Sequence, residues 1–304
     1  MSLAPRFGIF LDPSVGDPQE PFHLAKIADE NGLDLLTIQD HPYQARFYET
    51  WTLLTALAIS TQRIHVSPNV ANLPLRLPAM LAKQAATLDI LTGGRVELGL
   101  GAGSFWDAIV AYGGSRRPPG EAYAAFEDAL HILRGLWDGS ARVFNYTGKV
   151  YTIKGAHPGP PPAHRIPIWV GATGPKMLRL TGQMADGLLA SMSYVPPQRL
   201  PQVNALLDEG AAAAGRPLDT VRRGYNVGGV IRSGVGSSGE LTSNNAIDGT
   251  VDFWVDQLVR LYIEHRQDTF IFWGGGNTAE QIKIFAQAVA PAVKERAAAR
   301  GQRV

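Results

Sequence analysis

The sequence predicts an α/β fold, a (β/α)8 barrel of the TIM-barrel class with insertion loops. Three observations predict it. Short apolar runs alternate with stretches of helical period along the whole chain, in eight strand-plus-helix units. No composition shift or linker divides the 304 residues, so one domain over 1–304 is expected. Crossovers of uniform right hand, repeated in this way, return the last strand to the first within about 250 residues plus insertions. An open doubly wound sheet is the other architecture that the alternation permits.

The units follow in order. Residues 6–11 (RFGIFL) form the first strand, and residues 18–31 form a helix that Gly32 stops just past its C-terminus. Residues 35–38 are the second strand, followed by a helix at 49–60. Residues 64–68 are the third, with a helix at 79–91 ending at Gly93 and Gly94. Residues 96–100 are the fourth, and the helix at 121–137 places Phe126, Leu130, Leu133 and Trp137 on one face. Residues 143–154 (VFNYTGKVYTIK) alternate around Thr147 and Gly148, which predicts a hairpin excursion within about 142–165. The fifth strand is 168–170 with a helix at 176–185, and the sixth is 188–191 with a helix at 197–214. The seventh lies within 222–232, and the eighth is 269–273 with a helix at 278–300. Residues 233–249, rich in Gly, Ser and Asn, predict a mobile loop before a helix at 250–265.

Composition narrows the chemistry. Hydrophobic residues are 45% and charged residues 18%, enough to bury a large core. Lys plus Arg is 28 against 27 Asp plus Glu, a net charge of +1, so no basic surplus points to nucleic acid. The absence of cysteine excludes disulfides, thiol catalysis and cysteine-ligated metals, and fits a reducing, cytoplasmic location. No apolar stretch approaches the ~18 residues of a membrane span, and the N-terminal apolar run is too short for a signal peptide. The seven histidines show no i,i+4 pair, so no metal site is expected. Residues 234–239 spell GxGxxG, but ELTSNNAIDG after them is a poor helix former, which removes the dinucleotide reading.

In a barrel the chemistry belongs at the C-terminal ends of the strands. Three loops there carry unusual residues. After the second strand come Gln39, Asp40, His41, Pro42 and Tyr43. An imidazole gives or takes a proton near neutral pH, although adjacent side chains on extended backbone point opposite ways, so a direct Asp40–His41 bond is not implied. Turn chemistry is the alternative reading of this segment. After the third strand comes SPNVANLPLRLP, with Asn69 and Val70; an irregular loop held by Asn side chains is the alternative. After the fifth come Gly171, Ala172, Thr173, Gly174, Pro175 and Lys176. Small residues there let backbone N–H groups approach an anion at a helix N-terminus, though a tight strand-to-helix turn needs the same residues.

Taken in order, GIF at 8–10, ADENGLDLLTIQDHPY at 28–43, TWTLLTALA at 50–58, LDILTGGRVELGLGAGSFW at 88–106, IPIWVGATGPKMLRLTGQMADG at 166–187 and DTFIFW at 268–273 resemble the bacterial-luciferase-like superfamily of FMN/F420-dependent oxidoreductases. The resemblance covers nearly the whole chain and is nearest to the F420-dependent branch. It implies coenzyme F420 or FMN bound at the top of the barrel. It implies that Asp40 and His41 are catalytic, with the histidine by the reactive ring carbon. It places Asn69 and Val70 at the branch's non-prolyl cis peptide behind the cofactor ring. Gly101, Ala102 and Gly103 match the segment beneath the cofactor, and residues 171–176 match its phosphate loop. The dehydrogenases of sugar phosphates carry an acid where Ser104 stands, so that substrate is not expected. Tyr43, Phe47, Trp51, Ser104, Phe105 and Trp106 are the expected substrate pocket, its aromatic members being also ordinary candidates for packing.

The implied function is hydride transfer between F420 or FMN and an apolar organic substrate. An FMN- and O2-dependent monooxygenase and a non-catalytic flavin-binding homologue are the alternatives. A homodimer, usual in that family, is the expected assembly.

Overall fold

The computed structural model describes residues 3–140, 142–275 and 278–301. In chain order its elements are β1 (Arg6–Leu11), α1 (Glu20–Glu30), β2 (Leu35–Ile38), α2 (Thr50–Ser60), β3 (His65–Pro68), β4 (Ala71–Asn72), α3 (Pro78–Thr92), β5 (Leu98–Gly101), α4 (Trp106–Ala111) and α5 (Pro119–Trp137). Then follow β6 (Phe144–Thr147), β7 (Thr152–Ala156), β8 (Ile168–Gly171), α6 (Pro175–Met184), β9 (Gly187–Ser191), α7 (Leu200–Ala213), β10 (Arg222–Arg232), β11 (Gly239–Leu241), β12 (Ile247–Thr250), α8 (Val251–His265), β13 (Thr269–Gly274), α9 (Ala279–Ile284) and α10 (Ala290–Gly301).

Eight of the strands form a parallel ring in chain order: β1, β2, β3, β5, β8, β9, β10 and β13, with β13 paired back onto β1. The step from β3 to β5 is the thinnest. It is closed by Val66 N–H donating to Arg95 O at 2.8 Å and Glu97 N–H donating to Val66 O at 3.0 Å, with β4 running beside the end of β5. The predicted barrel is therefore the observed fold, and the open sheet is not.

Alternation along each strand divides the side chains between two layers. Phe10, Leu35, Trp169, Leu189 and Ile271 point inward and fill the barrel, with Val70 above them. Phe7, Ile9, Leu36, Ile38, Val66, Leu98 and their counterparts point outward and form the larger core against the helices. The N-terminal end of the ring is plugged by Glu97, which accepts from Arg6 Nη2 at 2.6 Å and from Trp169 Nε1 at 2.6 Å, with His65 Nδ1 at 3.1 Å. Burial alone would raise its pKa, but His65 and Arg6 hold it down to about 2.

Local signals account for the helix ends. Glu49 caps α2 by accepting from Thr52 N–H at 2.7 Å, and Thr250 caps α8. Gly93 takes the left-handed conformation that closes α3. Asp128 on α5 holds the turn of the β6–β7 hairpin through the N–H groups of Lys149, Val150 and Tyr151 and the hydroxyl of Tyr146.

Four readings of the sequence need correction. Residues 233–249 are not a featureless loop: β11 pairs antiparallel with β12, and β12 extends the sheet beside β10. The helix expected at 278–300 is α9, a π turn over Phe285–Val289, then α10. The helix expected at 197–214 opens with a 3-10 turn, Pro197–Arg199, before α7. The short helix α4 and the strand β4 lie where loops were expected. Of the loop after the eighth strand, Gly276 and Asn277 lie outside the described residues. No helix among the described residues is long and apolar enough to cross a membrane.

Candidate functional site at the barrel mouth

Asp40 and His41 leave β2 in opposite directions. Asp40 is fully buried and is occupied by a partner that the sequence reading missed. Arg76 donates from Nε to Oδ2 at 2.7 Å and from Nη2 to Oδ1 at 2.7 Å, and Asn72 N–H adds a third bond to Oδ2 at 2.8 Å. Arg76 Nη2 also donates to Glu49 Oε1 at 2.6 Å. Burial opposes the Arg76 charge, yet Asp40 and Glu49 together raise its pKa above the ordinary arginine value. The loops after β2 and β3 are thus joined by one fork-shaped ion pair.

His41 turns instead toward aromatic neighbours. Its ring stacks on Tyr43 at a centroid distance of 5.4 Å and meets the edge of Phe105 at 5.2 Å; Tyr43 in turn meets Tyr112 edge-on at 6.4 Å. No hydrogen bond joins His41 to Asp40 among the described residues. Burial lowers the His41 pKa below the usual imidazole value, and the Asp40 charge only partly offsets this. The ring is therefore held neutral around pH 7. Burial and Asp40 push the Tyr43 hydroxyl up to about 12, keeping it protonated.

Across the ring, a polar layer lies over the apolar barrel filling. Asn69 donates from Nδ2 to Asn226 Oδ1 at 2.8 Å and to Thr37 Oγ1 at 3.3 Å, and Asn226 donates from Nδ2 to Ser191 Oγ at 2.8 Å. The Asn69–Val70 peptide is cis, at the position the resemblance implied. The Val70 side chain then rises between two glycines. A Cβ on Gly101 would lie 2.7 Å, and one on Gly171 2.8 Å, from Val70 Cγ2. Glycine is required at both strand ends for this floor to form. Ala102 packs against the outer core, and Gly103 has φ of +96° between Pro74, Trp106 and Ile109.

Beside that floor, Gly171 and Ala172 are half-buried, while Thr173, Gly174, Pro175 and Lys176 are exposed. Gly174 is the N-cap of α6, no side chain caps that end, and Pro175 is at its first turn. The amino end of α6 thus presents backbone donors and a positive dipole end to solvent, with Lys176 nearby.

The expected pocket residues separate. Tyr43 and Phe105 join His41, and Phe105 is 49% exposed. Ser104 is exposed, and Trp106 begins α4 beside Gly103. Phe47 is half-buried, its backbone bridged to Ser14. Trp51 lies in the main core at 5% exposure, on α2, and packs the barrel against its helices rather than lining an open surface. Arg76, Asn226, Ser191 and Trp273 are the mouth residues that sequence reasoning missed. Asn226 alone carried a signal: a polar side chain at an inward position of an apolar strand. No group of three or more His, Cys, Asp or Glu among the described residues could hold a metal ion.

Loops rich in polar and aromatic groups, gathered at the carboxyl ends of a parallel ring, define the class: a (β/α)8 barrel that handles a small molecule at its mouth. The chain belongs to the family described as luciferase-like monooxygenase, which matches residues 2–233. Among curated proteins it is 33% identical over 216 residues to 5,10-methylenetetrahydromethanopterin reductase of Archaeoglobus fulgidus, covering 70% of this chain and 60% of that one. It is 32% identical over 215 residues to F420-dependent glucose-6-phosphate dehydrogenase of Nocardia farcinica, covering 68% and 63%. The matched region therefore spans about three fifths of those relatives. The fold is that of an F420-dependent secondary alcohol dehydrogenase bound to an F420–acetone adduct, with TM-score 0.82, 19% identity and coverage of 96% and 99%. It is equally that of the F420-dependent tetrahydromethanopterin reductase of Methanopyrus kandleri, with TM-score 0.80, 22% identity and coverage of 95% and 99%.

Proposed function

We propose that this chain is a luciferase-like oxidoreductase of the F420-dependent branch, catalysing hydride transfer between coenzyme F420, or FMN, and an apolar organic substrate. The observation that carries the reading is the Val70 floor between Gly101 and Gly171, directly beside the uncapped amino end of α6. The floor offers a flat apolar support, and the helix end offers donors for a phosphate. The curated relatives named above, a reductase and an F420-dependent dehydrogenase, support the same chemistry.

When bound, the cofactor supplies the hydride chemistry. The chain's own residues bind, orient and move protons. The backbone N–H groups of Thr173, Gly174 and Lys176 would hold the cofactor phosphate. Val70, Gly101, Ala102 and Gly103 would support its ring. His41, held neutral, accepts a proton from a substrate hydroxyl or, in the reverse direction, returns it to the carbonyl oxygen. Tyr43 and Phe105 keep water from the imidazole. The family's description as monooxygenases favours one second reading, FMN with O2.

Fluorescence titration of the purified chain with F420 and with FMN tests both. Saturable F420 binding is expected, with FMN weaker by about tenfold or more. Gly171→Val, whose side chain would meet Val70, should weaken F420 binding by about tenfold or more. FMN binding tighter than F420 moves the assignment to the second reading, and no saturable binding of either removes the proposal.

A cytoplasmic homodimer belongs to the same reading. Packed together, α2 and α3 expose Ile59, Met80, Ile90 and Leu91, apolar surface that a second copy would cover. Light scattering should give twice the 32.8 kDa chain mass; a uniform monomer would remove the dimer from the proposal.

A further inference from the structure

One mouth residue near the end of the eighth barrel strand has no role in the function proposed above. Trp273 follows Ile271 by two positions, so it shares the inward face of β13. Ile271 is buried in the barrel, but Trp273, one layer higher, is 42% exposed. It is also fixed: its ring stacks on Phe10 of β1 at a centroid distance of 4.4 Å and an interplanar angle of 22°. Phe10 belongs to the barrel filling and is 3% exposed, so the indole rests on a buried support with its other surface toward the mouth.

Two hollows flank this ring. One, of about 370 Å3, lies between Trp273 and the β11–β12 hairpin; Gly228, Gly229, Gly274 and Gly275 line it, leaving the backbone open to close approach. The other, of about 290 Å3, lies against the loop after β1. Together they match the size of a small-ligand site. The charged side chains that line them are all acids, of which Asp248 is compensated by an arginine. Asp248 lines the first, and Asp12, Asp17 and Glu20 line the second. No lysine, arginine or histidine is among the lining residues of either. Asp248 is paired with Arg232 at 2.5 Å, and Arg46, whose carbonyl accepts from Val15 N–H at 2.6 Å, neighbours the second hollow without lining it. An anion entering the second hollow would lose water and meet Asp12, Asp17 and Glu20 with no cation among the lining residues.

We infer that Trp273 is a specificity-determining residue, the stacking wall for a planar, conjugated substrate that carries no negative charge, and that this same wall rejects sugar phosphates and carboxylates. The inference deepens the proposed function and rests on it. The mouth selects by ring shape through the indole and by charge through the acids. The β11–β12 hairpin, which closes one side, sets the width of the slot.

The experiment compares two probes with the same ring system. 2-Acetylnaphthalene is neutral, and 2-naphthoate carries a carboxylate. Their binding to the F420-loaded chain is measured by titration calorimetry, with glucose 6-phosphate as a third ligand. The neutral probe should bind about tenfold or more tightly than 2-naphthoate, and glucose 6-phosphate should show no heat of binding. Trp273→Ala should weaken the neutral probe by about tenfold or more, while Trp273→Phe, which keeps an aromatic face, stays within about threefold of the parent chain. F420 affinity, read separately by fluorescence, should not change in either variant. Equal binding of the two naphthalenes overturns the inference without any variant being needed. So does neutral-probe affinity that survives Trp273→Ala in a chain that still binds F420. A chain that does not bind F420 removes both the inference and the reading beneath it, which separates the two failures.

Discussion

His41→Ala should lower turnover by about a hundredfold or more, the usual range for losing a positioned acid–base group, while F420 affinity changes by less than about threefold. The split follows from the geometry. His41 is set among Tyr43 and Phe105, and among the described residues it makes no hydrogen bond or ring contact with the α6 amino end that is proposed to hold the cofactor phosphate. Steady-state kinetics and fluorescence titration of one preparation read both quantities. Turnover unchanged by the substitution removes the imidazole from the mechanism. The same residue sets a pH dependence whose sign can be worked out. Burial lowers its folded pKa below the unfolded value of about 6.5, so the unfolded chain binds more protons below that pH. The associated stability is therefore fully present above pH 6.5 and is lost as pH falls through the folded pKa. His265 shifts in the same direction, also from burial, so the comparison that isolates His41 is the alanine variant against the parent chain. Imidazole proton NMR of the two locates the resonance that titrates low and vanishes in the variant.

How much of this was legible in the chain depends on the range of the forces involved. The strands RFGIFL and LLTI are bounded as their apolar runs predict, because a strand buried on both faces shows itself as a continuous run. The turn at Gly93 was legible for a similar reason, since the left-handed conformation is a property of that residue. Residues 233–249 were misread because β12 is made a strand by its neighbour: Ile247–Thr250 pairs with the overhanging end of β10, eighteen positions earlier at Gly229↔Ile247, and nothing local announces that partner. Trp51 had two readings, pocket and packing, because an aromatic residue looks alike in sequence whether it faces a ligand or a core. Its place on α2, with Leu54, Leu57 and Ala58 on the buried side, decides for the core. The Asp40–His41 pair shows both outcomes in two residues. The extended backbone correctly denied them a shared hydrogen bond, but it could not reveal that Asp40 belongs to Arg76, since that contact spans 36 positions.

That contact assigns Asp40 a positioning role that the resemblance did not imply, and it carries the largest stability effect expected here. Both carboxylate oxygens are used, by Arg76 and by Asn72 N–H, and none of the side chain reaches solvent. Removing the carboxylate leaves a guanidinium that is 13% exposed facing an emptied, buried position, with only Glu49 to balance it. Breaking a buried pair in this way costs about 3–5 kcal/mol, and exposed pairs cost far less. Asp40→Ala should therefore lower the melting temperature by roughly 6–15 °C. Arg76→Met should do the same, because it strands Asp40 instead. The two substitutions share one interaction, so Asp40→Ala combined with Arg76→Met should cost less than the sum of the two singles, by about 2 kcal/mol or more in a double-mutant cycle. Additive losses would mean that the pair does not hold the two loops together. The cycle has a kinetic counterpart. If Asp40 acted on His41 directly, restoring the fold through the double variant would leave turnover as low as in His41→Ala. Because Asp40 instead anchors the loop that carries His41, turnover should recover along with the melting temperature, since the imidazole then sits again between Tyr43 and Phe105.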